Sequence, residues 1–512
     1  MNRRTLLALP VLALALAPTP AAAAAAAPVS VPGVRRFDTG PGQFTLAPTG
    51  ARVTGTGPVG AVAARLAADL GRAGHTVGAG TDPGRPGDVV LRVDPSGPAE
   101  PESYRIEIAD LVTVTARTAQ GVGYGTQTLL QWLSRSATLP RGTATDWPDF
   151  AERGLLLDVG RQFLSVDWIK QRIREMAFYR MNLLQLHLSD HYGFRPASSS
   201  HPEITSAQHY STADLAEIIS YAADFGIEVV PEIGFPGHMN AILAPHPDLI
   251  LHPAITSPID AATDGLLAGT ADGRIDLSNP RARPLIEDLL HEFVPLFPGR
   301  YFHLGGDEYV SDFARYPQLT AAARAQLGPW AAGADLVADT VNWANDIVRS
   351  YGRTARVWND GIPRGASIPV HPSIVVDHWT GGNGLLPWSG NDNGPEQLAD
   401  QGHTLGNSAF TPTYWASGGY AAPMNAPPAL LYAWDPGLFV NGSRLRPDQR
   451  AHLLGSKLHV WCDDPTAMTE EQMIAPVRER LPVMAQQLWS GTGNVGYLDF
   501  TERVRVLGVP TI

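Results

Sequence analysis

The sequence predicts a (β/α)8 TIM barrel preceded by a small α+β domain, and three observations lead to this fold class. From residue 153 onward the chain contains eight short apolar runs, each of a length suited to a buried strand. Segments with the apolar spacing of helices lie between several of these runs. Most runs end in polar residues, as barrel strands do where ligands bind at their carboxyl ends. An open doubly wound sheet alternates in the same way, but the count of eight favours the barrel.

The barrel strands and helices can each be assigned to a stretch of sequence. The predicted strands are GLLLDVG at 154, LLQLHLSD at 183, IEVVPEIGF at 227, YFHLGGDE at 301, ARVWNDG at 355, IVVDHW at 374, TLGNSAF at 404 and KLHVWCD at 457. The clearest helices among them are VDWIKQRIREMAFYR, TADLAEIISYAADFG and NPRARPLIEDLLHEFVPLF. Ser165 precedes the first helix and is its predicted N-cap, because a serine oxygen can accept a hydrogen bond from a free helical N–H.

Residues 28–148 show a different order of strand-like and helix-like segments, which predicts the small α+β domain. The β-like runs DVVLRVD at 88, YRIEIAD at 104 and LVTVTARTA at 111 alternate with the helix-like segments AVAARLAADLGRAG at 61 and YGTQTLLQWLSR at 124. The stretch TLPRGTATDWPDF at 138 is rich in Pro, Thr and Asp, so it is predicted to be a connection. The barrel domain is therefore predicted over residues 149–512.

The first residues have the composition of an export signal. Arg3 and Arg4 precede an apolar stretch from Leu6 to Ala17, and small residues suited to a signal peptidase follow. The apolar stretch is shorter than the ~20 residues that a membrane-spanning helix needs. Residues 1–27 are therefore predicted to be a cleaved signal peptide, which implies a secreted, extracellular protein without a membrane anchor. Sec and twin-arginine export both stay open.

Composition narrows the possible partners. The chain has a net charge of −12 and a pI near 5.7, and it contains no cluster of basic residues. This charge argues against nucleic acid or an acidic membrane surface as a partner and favours a neutral or polar substrate. The single cysteine, Cys462, excludes an internal disulfide, so packing alone must stabilise an exported chain.

Polar and aromatic residues are concentrated at the carboxyl ends of the predicted strands. Because these ends meet at one mouth of a barrel, their side chains are expected to line a common site. The residues at the mouth are Arg161, Asp190, His191, Glu232, His238, Asp307, Glu308, Trp358, Asp360, Asp377, Trp379, Tyr414, Trp461 and Asp463. Aromatic faces together with carboxylates suit sugar rings, which have apolar C–H faces and hydroxylated rims. A carbohydrate substrate is therefore predicted.

The stretch HLGGDEYV places Asp307 and Glu308 side by side after two glycines. Hydrolysis of a glycosidic bond usually needs two carboxylates ~5–9.5 Å apart, and neighbouring residues cannot easily lie on both sides of one bond. A substrate whose own 2-acetamido oxygen is the nucleophile needs only one acid/base, with a second carboxylate to hold the acetamido N–H. Repulsion between the two acids is expected to raise the pKa of one, so that it carries a proton near neutral pH. The glycines are expected to allow close approach of strand and substrate.

Four ordered segments share a likeness to one family. They are TARTAQGVGYGTQTLLQ at 115, RGLLLDVGRQFLSVDWIKQRIREMAFYRMNLLQLHLSDHYGFR at 153, VVPEIGFPGH at 229 and LFPGRYFHLGGDE at 296. Together they resemble glycoside hydrolase family 20, the β-N-acetylhexosaminidases. The likeness extends from about residue 30 to about residue 310 and is looser afterward.

The resemblance implies a role for each matching residue at the mouth. Glu308 would be the general acid/base, and Asp307 would orient the acetamido group. Asp190 and His238 would form a hydrogen-bonded relay to Glu308. Arg161 would bind the hydroxyls at carbons 3 and 4 of the terminal sugar. The pocket around the acetamido group and the sugar face would be lined by Trp358, Trp379, Trp461 and Tyr414.

Two departures from the family pattern affect the pocket, whereas Gly234 in place of a common Asp and Phe194 in place of a common Trp are expected to be tolerated. The family's Tyr-x-Asp reads Tyr414-Trp415-Ala416 here, so Tyr414 would still donate to the acetamido oxygen but a supporting acid is missing. Members often carry Glu two residues after the last pocket tryptophan, where this chain has the shorter Asp463, which leaves room beside the sugar's 4 and 6 hydroxyls. The resemblance thus implies a retaining exo-glycosidase that releases terminal GlcNAc or GalNAc through an oxazolinium intermediate. Disaccharide release of the lacto-N-biosidase kind is an alternative.

Two other classes of function are weighed against this one. A non-catalytic glycan-binding protein could keep the barrel, although it would have no reason to retain the proton donor Glu308. A metal-dependent barrel hydrolase could use His187, Asp190 and His191, although His187 lies at an inward position of a buried strand and no HExxH spacing is present. We therefore expect no metal and no cofactor, and we expect β-N-acetylhexosaminide oligosaccharides or glycoconjugates as partners.

Overall fold

The computed structural model describes residues 27–254, 273–310, 312–380, 393–440, 442–493 and 495–509. The predicted signal peptide, residues 1–27, lies outside the described residues except for its last position. Within the described ranges, no helix is both long enough and apolar enough to cross a membrane.

The small domain consists of one seven-stranded sheet with two helices packed against it. Its strands are β1 (Arg36–Thr45), β2 (Ala51–Thr54), β3 (Val77–Gly80), β4 (Val89–Val93), β5 (Tyr104–Ile108), β6 (Val112–Ala116) and β7 (Thr138–Asp146). The order across the sheet is β1-β7-β5-β6-β4-β2-β3, with parallel pairing from β3 through β2 and β4 to β6 and antiparallel pairing elsewhere. The helices α1 (Gly60–Arg72) and α2 (Ala119–Leu133) pack against the sheet and against each other.

The sequence missed the strand β7 in this domain. The stretch at residue 138 that was expected to be a connection forms β7 over most of its length, so that prediction is wrong. β7 lies between β1 and β5 and pairs antiparallel with both. Pro140 lies beyond the residues that pair with β5, so its missing N–H affects only the pairing with Gln43 of β1. The neighbouring strands, rather than local composition, decide that this segment is extended.

The described residues of the second domain contain eleven strands, nine of which form one sheet. They are β8 (Glu152–Asp158), β9 (Leu183–His187), β10 (Ser189–Asp190), β11 (Gly193–Phe194), β12 (Glu228–Glu232), β13 (Tyr301–His303), β14 (Thr354–Trp358), β15 (Val375–His378), β16 (Leu405–Asn407), β17 (Tyr414–Ala416) and β18 (Leu453–Trp461). β10 and β11 form a separate antiparallel pair.

Eight of these strands close into a parallel barrel. The order is β8-β9-β12-β13-β14-β15-β16-β18, and β18 pairs with β8 to complete the circle. All eight correspond to predicted strands, so the barrel is confirmed. The nine-residue β18 pairs with β16 along its first half and with the short β17 along its second half. β17 was not predicted, and it brings Tyr414 to the carboxyl end of the barrel.

Helices follow most of the barrel strands. They are α3 (Val166–Phe178), α4 (Thr212–Asp224), α5 (Asn240–Leu243), α6 (Ala282–Phe293), α7 (Pro317–Leu327), α8 (Gly333–Ser350), α9 (Pro395–Asp400), α10 (Phe410–Thr413), α11 (Pro428–Ala433), α12 (Glu470–Trp489) and α13 (Tyr497–Leu507). The predicted cap of α3 is confirmed, since the Ser165 side chain accepts a hydrogen bond from the Trp168 backbone N–H at 3.3 Å.

A buried carboxylate joins the small domain to the barrel. Asp146, at the end of β7, accepts hydrogen bonds through Oδ2 from Tyr104 at 2.7 Å, from Arg180 at 2.9 Å and from Trp489 at 3.0 Å. Tyr104 belongs to the small domain, whereas Arg180 follows α3 and Trp489 ends α12. The two domains are therefore held together by a polar contact that is wholly shielded from solvent.

The barrel interior contains a second charged network that spans four strands. Arg356 of β14 contacts Glu152 of β8 at 2.9 Å and Asp377 of β15 at 3.0 Å. Lys457 of β18 contacts the same Asp377 oxygen at 2.8 Å. Burial alone would raise the pKa of Asp377, but the charges of Arg356 and Lys457 hold it well below its usual range. This carboxylate is therefore ionised, and together with Glu152 it balances the two buried cations.

Neighbouring glycines make room for this network. A Cβ on Gly406 of β16 would lie 2.1 Å from Asp377 Oδ1, and a Cβ on Gly154 of β8 would lie 2.3 Å from Lys457 Cγ. Any side chain at either glycine would displace one of the charged groups. Because Gly406 and Gly154 have no side chains, the charged groups of Asp377 and Lys457 on the neighbouring strands can be buried.

We predict that Asp377→Ala lowers the free energy of unfolding by about 3–5 kcal/mol, because removal of one partner leaves buried cations without compensation. Urea denaturation followed by circular dichroism measures this change. The control is Asp346→Ala, which removes an exposed α8 carboxylate 3.6 Å from Arg349 and should change stability by less than about 1 kcal/mol. Equal effects of the two substitutions would contradict the importance of the interior network.

Candidate active site

The adjacent acids Asp307 and Glu308 follow β13 at the carboxyl mouth of the barrel. Gly305 and Gly306, which precede them, have φ values of +72° and +100°, a region that favours glycine. A Cβ on Gly305 would also lie 2.6 Å from the Cα of Gly234, in the loop after β12. The two glycines therefore allow the backbone that carries the acids to pack directly against its neighbouring loop.

Backbone strain is concentrated at two residues of the mouth. Glu308 has a φ of +53° and His238 a φ of +55°, although neither is glycine. Such a conformation costs about 1–3 kcal/mol and persists only where the surroundings impose it. The surrounding loops direct the two side chains toward each other, so the strained backbone lies where His238 and Glu308 form a hydrogen bond.

The relay predicted from the sequence is assembled in the structure. His238 Nδ1 lies 3.3 Å from Asp190 Oδ1, and His238 Nε2 lies 3.1 Å from Glu308 Oε2. The same Nε2 lies 3.4 Å from Asp307 Oδ2. One imidazole thus connects Asp190 to both adjacent acids.

The pKa values of these groups are shifted in different directions. Burial alone would lower the pKa of His238, but the charges of Asp190 and Asp307 hold it well above its usual range. Burial raises the pKa of Asp307, and the charges of Glu232 and Glu308 add to that effect. Burial would also raise the pKa of Glu308, but its hydrogen bond to His238 and the histidine charge lower it.

These shifts correct one expectation from the sequence. One acid of the pair does have a raised pKa, but it is Asp307 rather than Glu308, the predicted proton donor. The reason is that His238 contacts Glu308 more closely and stabilises its ionised form. Glu308 and His238 therefore behave as a coupled pair whose shared proton lies mainly on the imidazole.

Arg161 is held at the mouth by two carboxylates at once. Its Nη1 donates to Asp158 Oδ2 at 2.8 Å, and its Nη2 contacts Asp190 Oδ2 at 2.9 Å. The side chain is 15% exposed and lies over the ring of Trp461, with 5.4 Å between Cζ and the ring centroid. Asp190 thus joins the predicted sugar-binding arginine to the relay.

The four predicted pocket aromatics form one wall. Trp379 and Tyr414 are stacked, with 6.4 Å between centroids and 13° between planes, and Tyr414 lies 5.5 Å from Trp461. Trp358 lies 6.1 Å from Trp461. Among the described residues, the buried Nε1 of Trp461 has no hydrogen-bond acceptor. The wall therefore offers apolar faces and at least one free donor, which suits a sugar substrate.

Buried carboxylates fix the orientation of this wall. Trp358 Nε1 donates to Glu232 Oε1 at 2.7 Å, and Trp379 Nε1 donates to Asp360 Oδ1 at 2.8 Å. Asp360 Oδ2 also accepts from the Glu308 backbone N–H at 2.9 Å. Burial raises the pKa of Asp360 to about 8, with a further contribution from the charge of Asp307. Asp360 thus joins the aromatic wall to the backbone of the acid pair.

The sequence placed Asp360 and Glu232 at the mouth but assigned them no role. Both were found only by the rule that polar residues follow barrel strands. Their partners, Trp379 and Trp358, lie on other strands, so spacing along the chain could not reveal these hydrogen bonds.

The two departures from the family pattern occupy defined places. Asp463 Oδ2 accepts a hydrogen bond from the Ala421 backbone N–H at 3.0 Å and so holds the loop after β17. Ala416, where the family has an acid, is clamped by Asn425, which accepts from its N–H at 2.7 Å and donates to its C=O at 2.8 Å. Both positions therefore support the loop beside Tyr414.

The histidines considered for a metal have other partners. His187 Nε2 lies 2.8 Å from Asp190 Oδ2, and its Nδ1 lies 3.0 Å from Glu232 Oε2. Burial would lower the pKa of His187, but these carboxylates raise it to about 10. Both ring nitrogens of His187 therefore contact carboxylates in this structure. The His191 backbone N–H donates to Asp190 Oδ1, and its ring packs against Tyr192 with centroids 4.5 Å apart.

Proton-transferring acids beside an aromatic wall, at the mouth of a closed parallel barrel, define the class of barrel glycoside hydrolases. Comparison with known families agrees with this class. The model of the glycosyl hydrolase family 20 catalytic domain matches residues 150–492, and that of the family's domain 2 matches residues 28–147. The chain belongs to glycosyl hydrolase family 20.

Two relatives illustrate this membership. A β-N-acetylhexosaminidase of Cellulomonas fimi is 30% identical over 447 residues, which cover 83% of this chain and 81% of the relative. A lacto-N-biosidase of Bifidobacterium bifidum is 29% identical over 471 residues, which cover 90% of this chain. The chain spans only 40% of the length of that lacto-N-biosidase.

Solved structures of the family share the architecture. The β-N-acetylhexosaminidase of Streptomyces coelicolor A3(2) has a TM-score of 0.73 and 25% identity, with 94% of this chain and 98% of that chain covered. A mutant of the Streptomyces plicatus β-hexosaminidase, solved with its product GlcNAc, also has a TM-score of 0.73 and 25% identity, with 93% of each chain covered.

We predict that Asp360→Asn changes the pH dependence of stability. Because burial raises the pKa of Asp360 from about 4 to about 8, the native protein binds more protons than the unfolded chain between these pH values. The contribution of Asp360 to the free energy of unfolding is therefore largest below pH 4 and is lost as pH rises through 8. Asparagine does not titrate, so the advantage of wild type over the variant should decrease steadily across this window.

Urea denaturation of both proteins at several pH values between 4 and 8 tests this prediction. The control is Asp346→Asn, on the exposed face of α8, where the difference from wild type should stay nearly constant. A pH-independent difference for Asp360→Asn would show that this carboxyl is not protonated in the native site.

Proposed function

We propose that this protein is an exported exo-glycosidase that removes terminal β-linked N-acetylhexosamine, GlcNAc or GalNAc, from oligosaccharides or glycoconjugates. The reaction retains the anomeric configuration and proceeds by substrate-assisted catalysis through an oxazolinium ion. Family membership supports hydrolysis of a glycoside, and the arrangement of the mouth supports this particular mechanism.

A single observation carries the mechanism. Asp307 and Glu308 both face the same nitrogen of His238, at 3.4 and 3.1 Å. Two neighbouring acids that share one imidazole nitrogen approach a bound sugar together, which supports a division of work in which one handles the proton and the other holds the acetamido group. The nucleophile in this proposal is the substrate's own 2-acetamido oxygen, which lies next to the anomeric carbon.

The chemistry follows from this division. The acetamido oxygen attacks C1 while the C1–O bond to the leaving group breaks, and the carboxyl of Glu308 protonates the leaving oxygen. Asp307 accepts a hydrogen bond from the acetamido N–H, and its charge stabilises the oxazolinium. Water then attacks C1, Glu308 takes its proton and the acetamide is restored. Two inversions at C1 give retention.

The coupled proton of Glu308 and His238 suits the first step. His238 holds the proton in the resting site, and Glu308 is the group that reaches the leaving oxygen. Negative charge that develops on the leaving oxygen draws the proton through Glu308, while Asp190 keeps the imidazole oriented. The relay thereby supplies an acid although the pKa of Glu308 itself is lowered.

The remaining contacts support a terminal aminosugar as substrate. Arg161 is fixed by Asp158 and Asp190, so its guanidinium is preorganised to bind vicinal hydroxyls. The stacked Trp379 and Tyr414 suit the face of a ring or an acetamido methyl group. The solved structure of the Streptomyces plicatus mutant contains GlcNAc as its product, which supports the same class of substrate here.

Export is part of the proposal because of the leader-like residues 1–27. Arg3 and Arg4 followed by the apolar stretch from Leu6 to Ala17 support it. A polysaccharide or glycoconjugate outside the cell would then be the substrate.

A second candidate function is release of a disaccharide. Two observations favour it: the chain is 29% identical to a lacto-N-biosidase, and Asp463 is shorter than the glutamate that the family often has. Arg161 favours the monosaccharide, because a second sugar on carbon 3 would occupy one of the hydroxyl positions that the arginine binds.

We predict that Glu308→Gln lowers kcat on N-acetyl-β-glucosaminide oligosaccharides by about 10²–10⁴-fold, since glutamine cannot donate a proton to a poor leaving group. The loss should be smaller on p-nitrophenyl N-acetyl-β-glucosaminide, whose leaving group needs little protonation. Asp307→Asn should keep substrate binding but slow turnover of both substrates, because it loses the charge that stabilises the oxazolinium. Steady-state kinetics with a chelator present measures these rates.

Glu287→Gln is the control, because this glutamate is exposed on α6 and lies away from the acid pair. It should leave both rates unchanged. Normal rates in both acid variants would refute the assignment, and loss of wild-type turnover on chelation would support a metal-dependent hydrolase. Binding of oligosaccharide without any turnover would support the glycan-binding alternative.

We predict that wild type releases a monosaccharide at least about 10-fold faster than a disaccharide, a ratio within reach of one displaced sugar contact. Product analysis on p-nitrophenyl N-acetyl-β-glucosaminide and p-nitrophenyl lacto-N-bioside compares the two reactions. Asp463→Glu, which restores the longer family side chain, should increase the preference. A dominant disaccharide product would establish the second candidate instead.

A further inference from the structure

A second cluster of ligand-type side chains lies on the loops around the mouth, separate from the acid pair. It consists of His201, Glu203 and His246, whose ligand atoms all lie within 4.8 Å of one another. His201 Nδ1 and His246 Nε2 each lie 3.1 Å from the same Glu203 oxygen, Oε1. Among the described residues it is the only group of three or more such side chains with this geometry.

The cluster joins two different loops. His201 precedes a short 3-10 turn, Pro202–Ile204, which contains Glu203 and belongs to the connection between β11 and α4. His246 follows α5, which begins two residues after His238. The cluster therefore connects the loop after β11 to the loop that carries the relay histidine.

A third element orients the first ligand. Asp288 of α6 places Oδ2 3.2 Å from His201 Nε2, which leaves His201 Nδ1 directed at Glu203. A carboxylate on the second nitrogen of a ligating histidine is the usual outer partner at protein metal sites, because it fixes the ring and its tautomer.

The same helix also holds the segment before His201. Glu292 of α6 accepts hydrogen bonds from the Ser198 hydroxyl at 2.7 Å, the Ser199 hydroxyl at 2.7 Å and the Ser200 backbone N–H at 3.3 Å. The approach to His201 is thus anchored before any ligand is bound. Two carboxylates of α6, Asp288 and Glu292, therefore position His201 and the segment before it.

The donor set suits a tetrahedral transition-metal site, and two of its three ligand-atom separations have the spacing of one. Two imidazole nitrogens and one carboxylate oxygen are ligands that Zn²⁺ accepts at about 2.0–2.2 Å, which places neighbouring ligand atoms about 3.3 Å apart. The observed 3.1 Å contacts are close to that value. All three side chains are partly exposed, so an ion and a water molecule as fourth ligand can enter from solvent.

We propose that His201, Glu203 and His246 bind one divalent transition-metal ion of the zinc type, with Asp288 as the carboxylate that orients His201. The ion clamps the loop after β11 to the loop after β12 and so stabilises the rim on which His238 is placed. It takes no part in hydrolysis, because none of its ligands contacts Glu308 or Asp307 among the described interactions.

The test is isothermal titration of ZnCl₂ into the metal-free full chain, prepared without a histidine tag. The expected result for wild type is saturable binding of one ion per chain, together with a higher thermal unfolding midpoint when Zn²⁺ is present. His246→Gln should weaken binding by more than about 100-fold, since it removes a ligand rather than an outer partner. Asp288→Asn should weaken it by about 10–100-fold.

His209→Gln is the matched control, because this exposed histidine lies in the same connection but bonds only to the Ser206 carbonyl among the contacts described for its ring. It should bind Zn²⁺ as wild type does. Glutamine at 246 can still donate to Glu203, so metal-free wild type and His246→Gln should unfold at similar temperatures. Absence of saturable binding by wild type, or wild-type binding by a folded His246→Gln, would overturn the proposal. Failure of hydrolysis would bear only on the proposed function.

Discussion

Burial of charge inside a parallel barrel is the constraint on which the rest of this structure depends. An ionised group within the barrel is stable only when an opposite charge contacts it and its remaining hydrogen bonds are made. Here the partners come from different strands: Asp377 of β15 and Glu152 of β8 balance Arg356 of β14 and Lys457 of β18. Further along, His187 lies between Asp190 and Glu232. Each strand position is therefore determined by the charges on its neighbours as well as by packing.

At the mouth of the barrel the negative charges are less fully balanced by positive ones, and the groups that can exchange protons lie there. Asp190 is fully paired, since Arg161 and His187 both contact it, and its pKa lies well below the usual range despite burial. Asp307 and Asp360 are largely shielded from solvent but have fewer positive partners, so their pKa values rise. The same physical rule thus produces inert ion pairs within the barrel and groups that can exchange protons at its rim.

The shared imidazole of His238 explains how two neighbouring acids acquire different properties. It contacts Glu308 more closely than Asp307, and it is itself oriented by Asp190. Asp360 then fixes the backbone of Glu308 and the indole of Trp379 together. A change in any one of these groups alters the others, because they belong to one hydrogen-bonded network. The pocket wall and the proton relay are in this sense a single unit.

Much of the barrel and of its mouth could be predicted because both follow from local pattern. Eight apolar runs ending in polar residues located the strands, and the rule that such ends converge brought Arg161, His238 and the acid pair into one site. Prediction failed where the decisive neighbour is distant in the chain. β7 is extended because β1 and β5 lie on either side of it, although its own composition resembles a loop. Likewise, the link from Asp360 to Trp379 joins two strands.

The sequence by itself determined which chemical groups stand at the strand ends, since side-chain identity and the alternation of strands and helices are written in it. Only the tertiary structure decided the state of those groups. The pKa of Glu308 is lowered by its contact with His238, and that of Asp307 is raised by burial and by the charges of Glu232 and Glu308. No spacing along the chain expresses these contacts. Electrostatic energy depends on separation and burial in three dimensions, so the pKa values of adjacent acidic residues can shift in opposite directions.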